Sequence, residues 1–378
     1  MAGLVLNSTA VILLNFCAKP NICPSISATS PSCKPLPVIV MRHTLIISTV
    51  LFLLTSCKHG DVKSLSQIHF TVNQYQLQTD TTIADIVYFK GHIICLQDNN
   101  KIAILDTSYN RQYSLENNFK NVESTYLLIF RDTVFLGTSK KTYFIDNNFK
   151  PQDFKRTERM YGNYLYEDST FYVYGCCAGE FGGSVFFLNK LTNKTYSYFA
   201  TCASQILKFK DQYVVCNNLA HLSGSMSFLF VPDPTKLYEL TDEKQKNHCN
   251  WYVEVDTLKN YWETSPIGGV NFYRGAYSTM SLISFIVKDS LYSFLSNDST
   301  TFIAVHKSDT ILERQRIFNK PIRFHQTHII KAGNKLVCLY QLTGGSPLAA
   351  YTLTGRNSGL IVIDSNKIDI FDKYQKTN

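Results

Sequence analysis

The sequence predicts an all-β chain in which one small sheet is repeated about seven times. Tyr and Phe are abundant, with 23 and 25 of 378 residues, and aromatic side chains favour strands. Apolar residues almost never recur at the 3.6-residue spacing that marks a helix. Instead, a unit recurs along the chain: two apolar segments joined by a tight polar turn, then a loop and a third apolar segment ending in Asp.

The first copy shows this unit most clearly. Its strands are expected at Ile86–Phe89 and His92–Leu96, with the turn Lys90-Gly91 between them. Ile102–Leu105 and Asp106 complete it. The later copies are recognised by their turns, and the full set of turn markers is Gly91, Asp132, Asp168, Asp211, Asp289 and Gly333.

The markers recur about every forty residues, with successive steps of 41, 36, 43, 78 and 44. Because the fourth step is nearly twice the others, we expect a degenerate seventh copy inside it, with Trp251–Leu258 as its clearest strand. Repeats of roughly 40 to 45 residues with several short strands are typical of β-propeller blades. The sequence therefore predicts a seven-bladed β-propeller over residues 67–374, with six or eight blades as alternatives. Ile68–Leu77 is expected to complete the blade ended by Leu360–Phe371, which closes the ring.

The region before the ring contains an export signal. Met41-Arg42-His43 supplies a basic start, Leu45–Leu54 an apolar run, and Thr55-Ser56 two small residues before Cys57. These three parts, in this order, form a secretory signal. With a cysteine where the mature chain should begin, the pattern resembles the lipobox of bacterial lipoproteins, whose thiol receives a diacylglyceryl group.

This resemblance implies a cleaved signal peptide at residues 41–56, a lipid on Cys57 and a short tether at 57–66. Lys58 rather than Asp follows the cysteine, which by resemblance to sorted lipoproteins implies the outer membrane. Residues 1–40 are expected to be a misassigned upstream segment, and a second signal within them is the alternative. Repeats and signal together make the chain resemble bacterial lipoproteins with a β-propeller domain. That resemblance is architectural, because no Trp-Asp dipeptide, repeated Asp-box or Gly-Trp pattern is present.

The cysteines after the tether fall into two groups. Cys95, Cys216 and Cys338 occupy the same or an adjoining position of the second strand in different copies, and we expect them to be small buried core residues. The second group contains candidates for disulfides in an oxidising compartment: Cys176, Cys177, Cys202 and Cys249. The adjacent pair either forms a vicinal disulfide or bonds to the other two. A zinc site is the weaker alternative because paired Cys-x-x-Cys motifs are missing, so no metal and no cofactor is expected.

Other chemical motifs are weak. His325-x-x-His328 has ligand spacing, but residues three apart on a strand point to opposite faces. Glu254 and Asp256 share a strand face, as acid–base work by paired carboxylates requires, but a solvated outer strand explains them better. The net charge of +8 is spread along the chain. Because no basic cluster is interleaved with aromatic residues, nucleic acid is not an expected partner.

Loop lengths indicate a binding surface at one end of the ring. The opposite end is expected to carry only tight turns, and elaboration on one side of a rigid scaffold is how sites arise. The longer connections expected at the elaborated end are Gly175–Gly183, Asn217–Ser225, Thr343–Gly359, Gln152–Asn163 and Thr241–Ser278.

The expected function is a lipid-anchored binding or assembly module of the cell envelope, with an envelope protein or a glycan as its partner. The alternative is a hydrolase or lyase acting on a polysaccharide or ester at the mouth of the central channel. An enzyme would need two or more titratable groups converging there, and the sequence favours the binding module. The candidate binding face consists of aromatic, His and Arg residues common in protein and glycan contacts: Phe181, His221, Trp262, Tyr273, Arg274, Tyr351 and Arg356.

Overall fold

In a computed structural model of the chain, the described residues form six β-sheets and almost no helix. All of them belong to one compact unit, Gln67–Asn378. Among them no helix is long and apolar enough to cross a membrane. The structure describes residues 68–130, 132–138, 141–154, 163–177, 179, 183–220, 224–240, 271–274, 278–307, 310–342 and 358–372. Outside these ranges lie the upstream segment, the signal peptide, the tether and Cys57.

The amino-terminal half forms three blades, in which consecutive strands are antiparallel. Blade 1 consists of β2 (Ile83–Phe89), β3 (His92–Gln97) and β4 (Ile102–Leu105). Blade 2 consists of β5 (Tyr126–Phe130), β6 (Thr133–Gly137), β7 (Thr142–Ile145) and β8 (Pro151–Phe154). Blade 3 consists of β9 (Asn163–Glu167), β10 (Phe171–Cys177), β11 (Gly183–Asn189), β12 (Thr195–Phe199) and, from later in the chain, β16 (Tyr238–Leu240).

The carboxy-terminal half forms the other three blades. Blade 4 consists of β13 (Ala203–Phe209), β14 (Gln212–Leu219), β15 (Ser225–Val231) and β17 (Asn271–Arg274). Blade 5 consists of β18 (Met280–Val287), β19 (Ser290–Ser296), β20 (Thr301–Lys307) and β21 (Thr310–Phe318). Blade 6 consists of β22 (Phe324–Ala332), β23 (Lys335–Leu342), β24 (Ser358–Asp364), β25 (Lys367–Asp372) and, from the start of the chain, β1 (Thr71–Gln76).

The described residues thus form a β-propeller of six blades, and the prediction of seven is wrong. The long step between Asp211 and Asp289 is an insertion within blade 4, because the chain leaves β15 at Val231 and returns to the same sheet at Asn271 as β17. Between them, β16 pairs with β12 of blade 3. Trp251–Leu258, expected as a strand of the extra copy, lies outside the described residues. An insertion lengthens the step as a degenerate blade would, so spacing could not separate the two.

The ring closes as the sequence predicts. β1 lies beside β25 in blade 6 and runs parallel to it, with Thr71 opposite Lys367. Tyr75 of β1 stacks on Phe371 of β25 with 5.1 Å between ring centroids. Because strands from both ends of the propeller share one sheet, main-chain hydrogen bonds close the ring.

The first strand of each blade lies on the inside of the ring. β2 contacts β5 and β22, and β13 contacts β9, β18 and β22. Five of the six inner strands carry a shift in register, which skips Ala84 in β2 and His325 in β22. Bulges of this kind sharpen the strand twist and redirect side chains. They therefore reset which side chains face the channel.

The apolar core lies between the blades. Five clusters each join two neighbouring blades. In the cluster between blades 5 and 6, Phe70 and Phe285 are each 1% exposed. Blades 2 and 3 share no such cluster in the part of the chain that is described. The prediction of core cysteines is confirmed, since Cys95, Cys216 and Cys338 are buried on β3, β14 and β23.

Side-chain amides fasten the blades to one another. Gln205 of β13 donates to the carbonyl of Ser284 in β18 and accepts from its amide, each at 2.8 Å. Asn218 of β14 holds Ser281 of β18 in the same way, at 2.6 and 2.8 Å. Each amide takes the place of a neighbouring strand, so that peptide groups at the blade boundary are satisfied.

A short helical segment takes the position of a fourth strand in blade 1. Helix α1 (Tyr113–Glu116) and a 3-10 turn (Asn117–Phe119) follow β4. The amide of Ile104 donates to Glu116 Oε1 at 2.9 Å, and its carbonyl accepts from the amide of Gln112 at 2.8 Å. The outer edge of β4 is therefore satisfied at Ile104 without a strand partner.

One turn recurs at the end of the third strand in blades 1 and 2. Asp106 Oδ1 accepts from two backbone amides at 2.8 and 2.9 Å, and Gln112 Nε2 donates to Oδ2. Asp146 makes the matching bonds in blade 2. Both turns bury an aromatic residue with left-handed backbone, Tyr109 at φ 66° and Phe149 at φ 58°. The pattern Asp-x-x-aromatic-x-x-Gln is thus a repeat signature of this chain.

Candidate functional site

The ring has two different ends. The turn end carries the hairpins between first and second strands, such as Lys210-Asp211 and Lys288-Asp289. The loop end carries the connections between second and third strands. Five of these connections are four or five residues long, and the connection between β23 and β24 spans the fifteen residues 343–357. β23 ends and β24 begins at the loop end, but Ser358 and Gly359 belong to β24, and residues 343–357 lie outside the described residues. The long connections expected at Gly175–Gly183 and Asn217–Ser225 are wrong, because the strands on either side extend into them and leave five residues each.

One segment expected at the loop end starts from the turn end instead. β15 runs towards the turn end, where Val231 pairs with Tyr213. β17 starts from the same end, where Asn271 pairs with Phe230. The chain between β15 and β17 therefore leaves and re-enters at the turn end. Sequence reasoning placed Thr241–Ser278 at the loop end because the seven-blade count made it a connection between blades.

A disulfide fastens the loop end of blade 3. Cys177, the last residue of β10, is bonded to Cys202, which precedes β13, with 4.2 Å between their Cα atoms. The adjacent Cys176 is buried and outside this bond, so no vicinal disulfide forms. Cys249 lies outside the described residues. The bond ties the start of the loop-end connection at 178–182 to the entry into blade 4.

An ion pair lies on the inner strands where blade 6 meets blade 1. His328 Nδ1 of β22 donates to Asp85 Oδ1 of β2, and the two side chains are 35% and 26% exposed. Desolvation of the imidazole lowers its pKa, but the charge of Asp85 and this hydrogen bond outweigh the effect. The pKa of His328 therefore lies above its ordinary value. A partly exposed acid–base pair of this kind can hold a charged ligand group or move a proton.

The longest loop-end connection is rooted beside this pair. Gln341 Nε2 donates to the carbonyl of Ala84 at 2.7 Å, and Ser358 Oγ accepts from the amide of Ile83 at 2.8 Å. Gln341 and Ser358 also pair with each other across β23 and β24. Both ends of the connection are thus hydrogen-bonded to Ile83 and Ala84, the two residues that precede Asp85.

The same junction contains two buried polar atoms that have no hydrogen-bond partner in the described part of the chain, Thr81 Oγ1 and Gln97 Nε2. Gln97 is 1% exposed and pairs with Ile83 in β2. Its Oε1 accepts from the amide of Thr81 at 3.2 Å. Buried polar groups normally bond to protein, ordered water or ligand. The junction therefore offers one donor and one hydroxyl group beside the roots of the long connection.

A second histidine is structural. His306 Nε2 and Ser293 Oγ are 2.7 Å apart, as are Ser293 Oγ and Ser284 Oγ. Both serines are fully buried. Burial lowers the pKa of His306 to about 4, so this imidazole is neutral at physiological pH. These three side chains satisfy one another's hydrogen bonds inside blade 5, and the two serines are not exposed to solvent.

Two residues of the predicted binding face lie on a strand rather than in a loop. Tyr273 and Arg274 belong to β17 and pair with Phe228 and Ser227 of β15. They lie there because the chain returns to complete blade 4. The other residues of that face, and the paired carboxylates, lie outside the described residues: Phe181, His221, Trp262, Tyr351, Arg356, Glu254 and Asp256.

Sequence reasoning missed Asp85 and therefore the ion pair. Asp85 and His328 are 243 residues apart, and no motif links them. His328 was noticed only for its spacing from His325, whose bulged position interrupts the strand alternation that the argument used. Among the described residues no cluster of three or more His, Cys, Asp or Glu side chains could hold a metal.

Comparisons with solved structures find several distant similarities. The chain is similar to the computationally designed Ika8 protein, with 7% identity over 80% of this chain and 99% of that one and a TM-score of 0.34. It is similar to BamB from Moraxella catarrhalis, with 10% identity over 79% and 85% of the two chains and a TM-score of 0.31. It is also similar to PorZ, an essential bacterial surface component of the type-IX secretion system of Porphyromonas gingivalis. There the identity is 11%, the coverage 78% of this chain and 40% of PorZ, and the TM-score 0.30.

The chain thus spans about two-fifths of the length of PorZ. No protein-family model matches the sequence, and no curated protein matches it. Identities this low and TM-scores near 0.3 carry no argument about fold or function. The propeller assignment rests on the six sheets and their closure.

Proposed function

We propose that this protein is a binding module of the cell envelope, held in the outer membrane by a lipid on Cys57. Its partner, an envelope protein or a glycan, binds at the loop end where blade 6 meets blade 1. The observation that supports this proposal is the junction itself, where the longest loop-end connection is rooted beside the Asp85–His328 pair. A long connection held by a rigid scaffold next to charged groups is a typical arrangement for a binding site.

Shortening that connection tests the proposal. Residues 343–357 are replaced by Asn-Gly, while Ser358 is kept because it bonds to the amide of Ile83. The fold should persist, since loop-closure entropy changes by only about 0.6 kcal/mol per doubling of length. We expect cooperative melting to be retained and capture from envelope extracts and glycan arrays to be lost.

A matched variant changes the turn end instead. Replacing Lys288-Asp289 by Asn-Gly alters an exposed hairpin of blade 5 and should leave binding unchanged. If the protein without 343–357 binds everything that the parent binds, the junction is not the site. If both variants lose binding, the effect is not specific to the loop end.

The anchor is tested separately. Cys57→Ser removes the thiol that would carry the thioether-linked lipid, so palmitate labelling should disappear and an uncleaved or soluble precursor should remain. A serine variant that is still labelled would contradict the assignment of Cys57.

A hydrolase or lyase acting on a polysaccharide or ester is the second candidate, and the Asp85–His328 pair favours it. A histidine oriented by a carboxylate is a common general base. His328→Gln keeps a donor for Asp85 but cannot carry a proton between ligand and solvent. If the parent releases reducing ends or acid from envelope polysaccharide and this variant does not, the result favours the enzyme over the binding module.

A further inference from the structure

The chain enters the propeller at the turn end. β24 and β25 are joined there by the hairpin Ser365-Asn366, and β1 runs parallel to β25 from the same end. The amide of Thr71 donates to the carbonyl of Asn366 at 3.0 Å, and Asn366 Nδ2 donates to the carbonyl of His69 at 3.3 Å. The tether at 57–66 is therefore joined to the ring at its turn end.

The length of the tether does not decide which end of the ring faces a membrane. The ten residues 57–66 span at most about 35 Å when extended. A strand of seven residues, such as β2, spans about 23 Å. A lipid on Cys57 is therefore within reach of both ends, and the surfaces of the two ends must decide the orientation.

Every blade places at least one exposed lysine at the turn end. Five of them lie in or beside the hairpins between first and second strands: Lys90, Lys208, Lys210, Lys288 and Lys331. Three follow third strands: Lys150, Lys194 and Lys367. Against these eight lysines, the described residues of this end include three exposed acidic side chains, those of Asp132, Asp211 and Asp289. The exposed charge of the turn end is thus strongly positive.

Several other carboxylates of the turn end are partly buried and already bonded. Asp106 and Asp146 each accept from two backbone amides, and Asp168 does the same. Three of the eight lysines lie 2.8–3.8 Å from a carboxylate, but each keeps about half of its side chain exposed. Exposed pairs contribute little, so these lysines can exchange their partners for other anions.

The loop end has no such excess of charge. Its exposed basic residues in the described part of the chain are Lys101, Lys120, Lys141, Lys320 and Arg323. They are nearly balanced by Asp98, Glu123, Asp153 and Asp298. The positive surface therefore lies at the end where the tether joins the ring, opposite the end proposed to bind the partner.

An apolar side chain projects from the positive surface. Leu191 lies in the turn between β11 and β12 and is 88% exposed, more than any other large hydrophobic side chain among the described residues. Lys190 and Lys194 stand at the two ends of this turn. Segments that combine lysines with an exposed apolar side chain bind anionic bilayers, because the charges attract the headgroups and the apolar group enters the acyl boundary.

We propose that the turn end is a membrane-contact surface. Its lysines bind the anionic headgroups of the bilayer that carries the lipid on Cys57, and Leu191 enters the acyl boundary. The proposal rests on the anchor proposed above and adds the orientation of the ring, with the turn end on the bilayer and the loop end directed away from it towards the partner.

Photo-crosslinking to lipid tests the contact in the full lipidated chain. The protein is reconstituted into vesicles of phosphatidylglycerol and phosphatidylcholine in equal parts, with the phosphatidylglycerol radiolabelled. The crosslinking residue replaces Thr192 at the turn end or Asn99 at the loop end, both exposed. We expect at least tenfold more labelled lipid on the protein from Thr192 than from Asn99. Salt at about 1 M screens exposed charges and should lower the yield from Thr192 at least fivefold.

Matched charge variants make the test specific. Lys90→Gln, Lys210→Gln and Lys288→Gln together should lower the yield from Thr192 at least fivefold, and Leu191→Ser should lower it as well. Lys101→Gln, Lys120→Gln and Lys320→Gln remove the same charge from the loop end and should leave the yield unchanged. Equal yields from Thr192 and Asn99, or equal effects of the two triple variants, would overturn the proposal.

Palmitate labelling of the same sample reports the anchor separately. A palmitate-labelled chain that gives no lipid crosslinks from Thr192 overturns the membrane-contact surface and leaves the anchor standing. A chain without palmitate that still crosslinks lipid from Thr192 contradicts the anchor and supports the surface. In whole envelopes, crosslinks from Thr192 to an acidic protein instead of lipid would assign the turn end to that protein and overturn the proposal.

Discussion

Arg111 fastens the helical segment that stands in for the fourth strand of blade 1. Its Nε donates to both carboxylate oxygens of Glu116, at 2.9 and 3.0 Å, and its guanidinium also binds Asp80. The side chains of Arg111 and Glu116 are 9% and 10% exposed, whereas that of Asp80 is 60% exposed. Since Glu116 also accepts from the amide of Ile104, the pair connects the segment to the edge of β4.

Arg111→Met should therefore destabilise the protein strongly. Methionine keeps an apolar stem but leaves the carboxylate of Glu116 nearly buried without a counter-charge. Removing one partner of a buried pair costs about 3–5 kcal/mol. With about 2–4 °C per kcal/mol for a domain of this size, the melting midpoint should fall by roughly 6–20 °C. Thermal and urea unfolding followed by far-ultraviolet circular dichroism measure the loss.

An exposed pair supplies the control. Lys141 Nζ is 2.9 Å from Asp153, but these side chains are 57% and 66% exposed, so Lys141→Met should leave the melting midpoint almost unchanged. Adding Glu116→Gln to Arg111→Met removes the uncompensated charge and keeps an acceptor for β4, so it should restore much of the loss. Equal losses in Arg111→Met and Lys141→Met, or no recovery in the double variant, would show that the buried charge of Glu116 does not cause the loss.

Three further predictions concern stability. Because the folded pKa of His328 is raised, its pair with Asp85 should stabilise fully below the unfolded pKa of about 6.5 and lose its effect as pH rises through the folded value. His328→Gln should remove that slope of the melting midpoint above about pH 6.5; an unchanged slope would exclude the pair as its cause. Lys288 and Asp289 have φ of 46° and 57°, where residues other than Gly cost about 1–2 kcal/mol. Asn-Gly there should raise the free energy of unfolding by about 1 kcal/mol, and a lower urea midpoint would contradict this. Replacing Cys177 and Cys202 by Ser opens a cross-link over 25 residues and should lower the free energy of unfolding by about 3 kcal/mol. Equal urea midpoints for the oxidised parent and the variant would contradict this.

The sheet repeat could be predicted because its determinants are local. The turns that marked the copies, including Gly91, Lys210-Asp211 and Lys288-Asp289, occupy hairpins with left-handed backbone. Residues at such turns are selected by their own backbone conformation. Closure of the ring by Ile68–Leu77 could also be predicted, since an alternating strand at the start of the propeller needs a sheet to join, and the last blade offers one.

The number of blades could not be predicted from spacing. Spacing measures the length of chain between two turns, whereas a blade is defined by which strands pair. β17 pairs with β15 although about forty residues separate Val231 from Asn271. A stronger repeat signal was present but went unused, because Asp106 and Asp146 share the pattern Asp-x-x-aromatic-x-x-Gln. That signature would have fixed the boundaries of the first two copies.

The candidate site could not be predicted, because it exists only once the ring is closed. Asp85 and His328 meet where the last blade adjoins the first, and Gln341 and Ser358 reach the same junction from blade 6. None of these residues belongs to a motif. The long connection between β23 and β24 was recognised from its length, but the groups that root it were not.

The partner is proposed to bind at the loop end where blade 6 meets blade 1. Two photo-crosslinking residues in blade 1 test this directly, one at Asn99 in the loop-end connection and one at Lys90 in the turn-end hairpin, both exposed. We expect the envelope partner to be crosslinked from Asn99 and not from Lys90. Crosslinks from Lys90 alone would place the partner at the turn end, where the insertion between β15 and β17 begins and ends, and would contradict binding at the loop end.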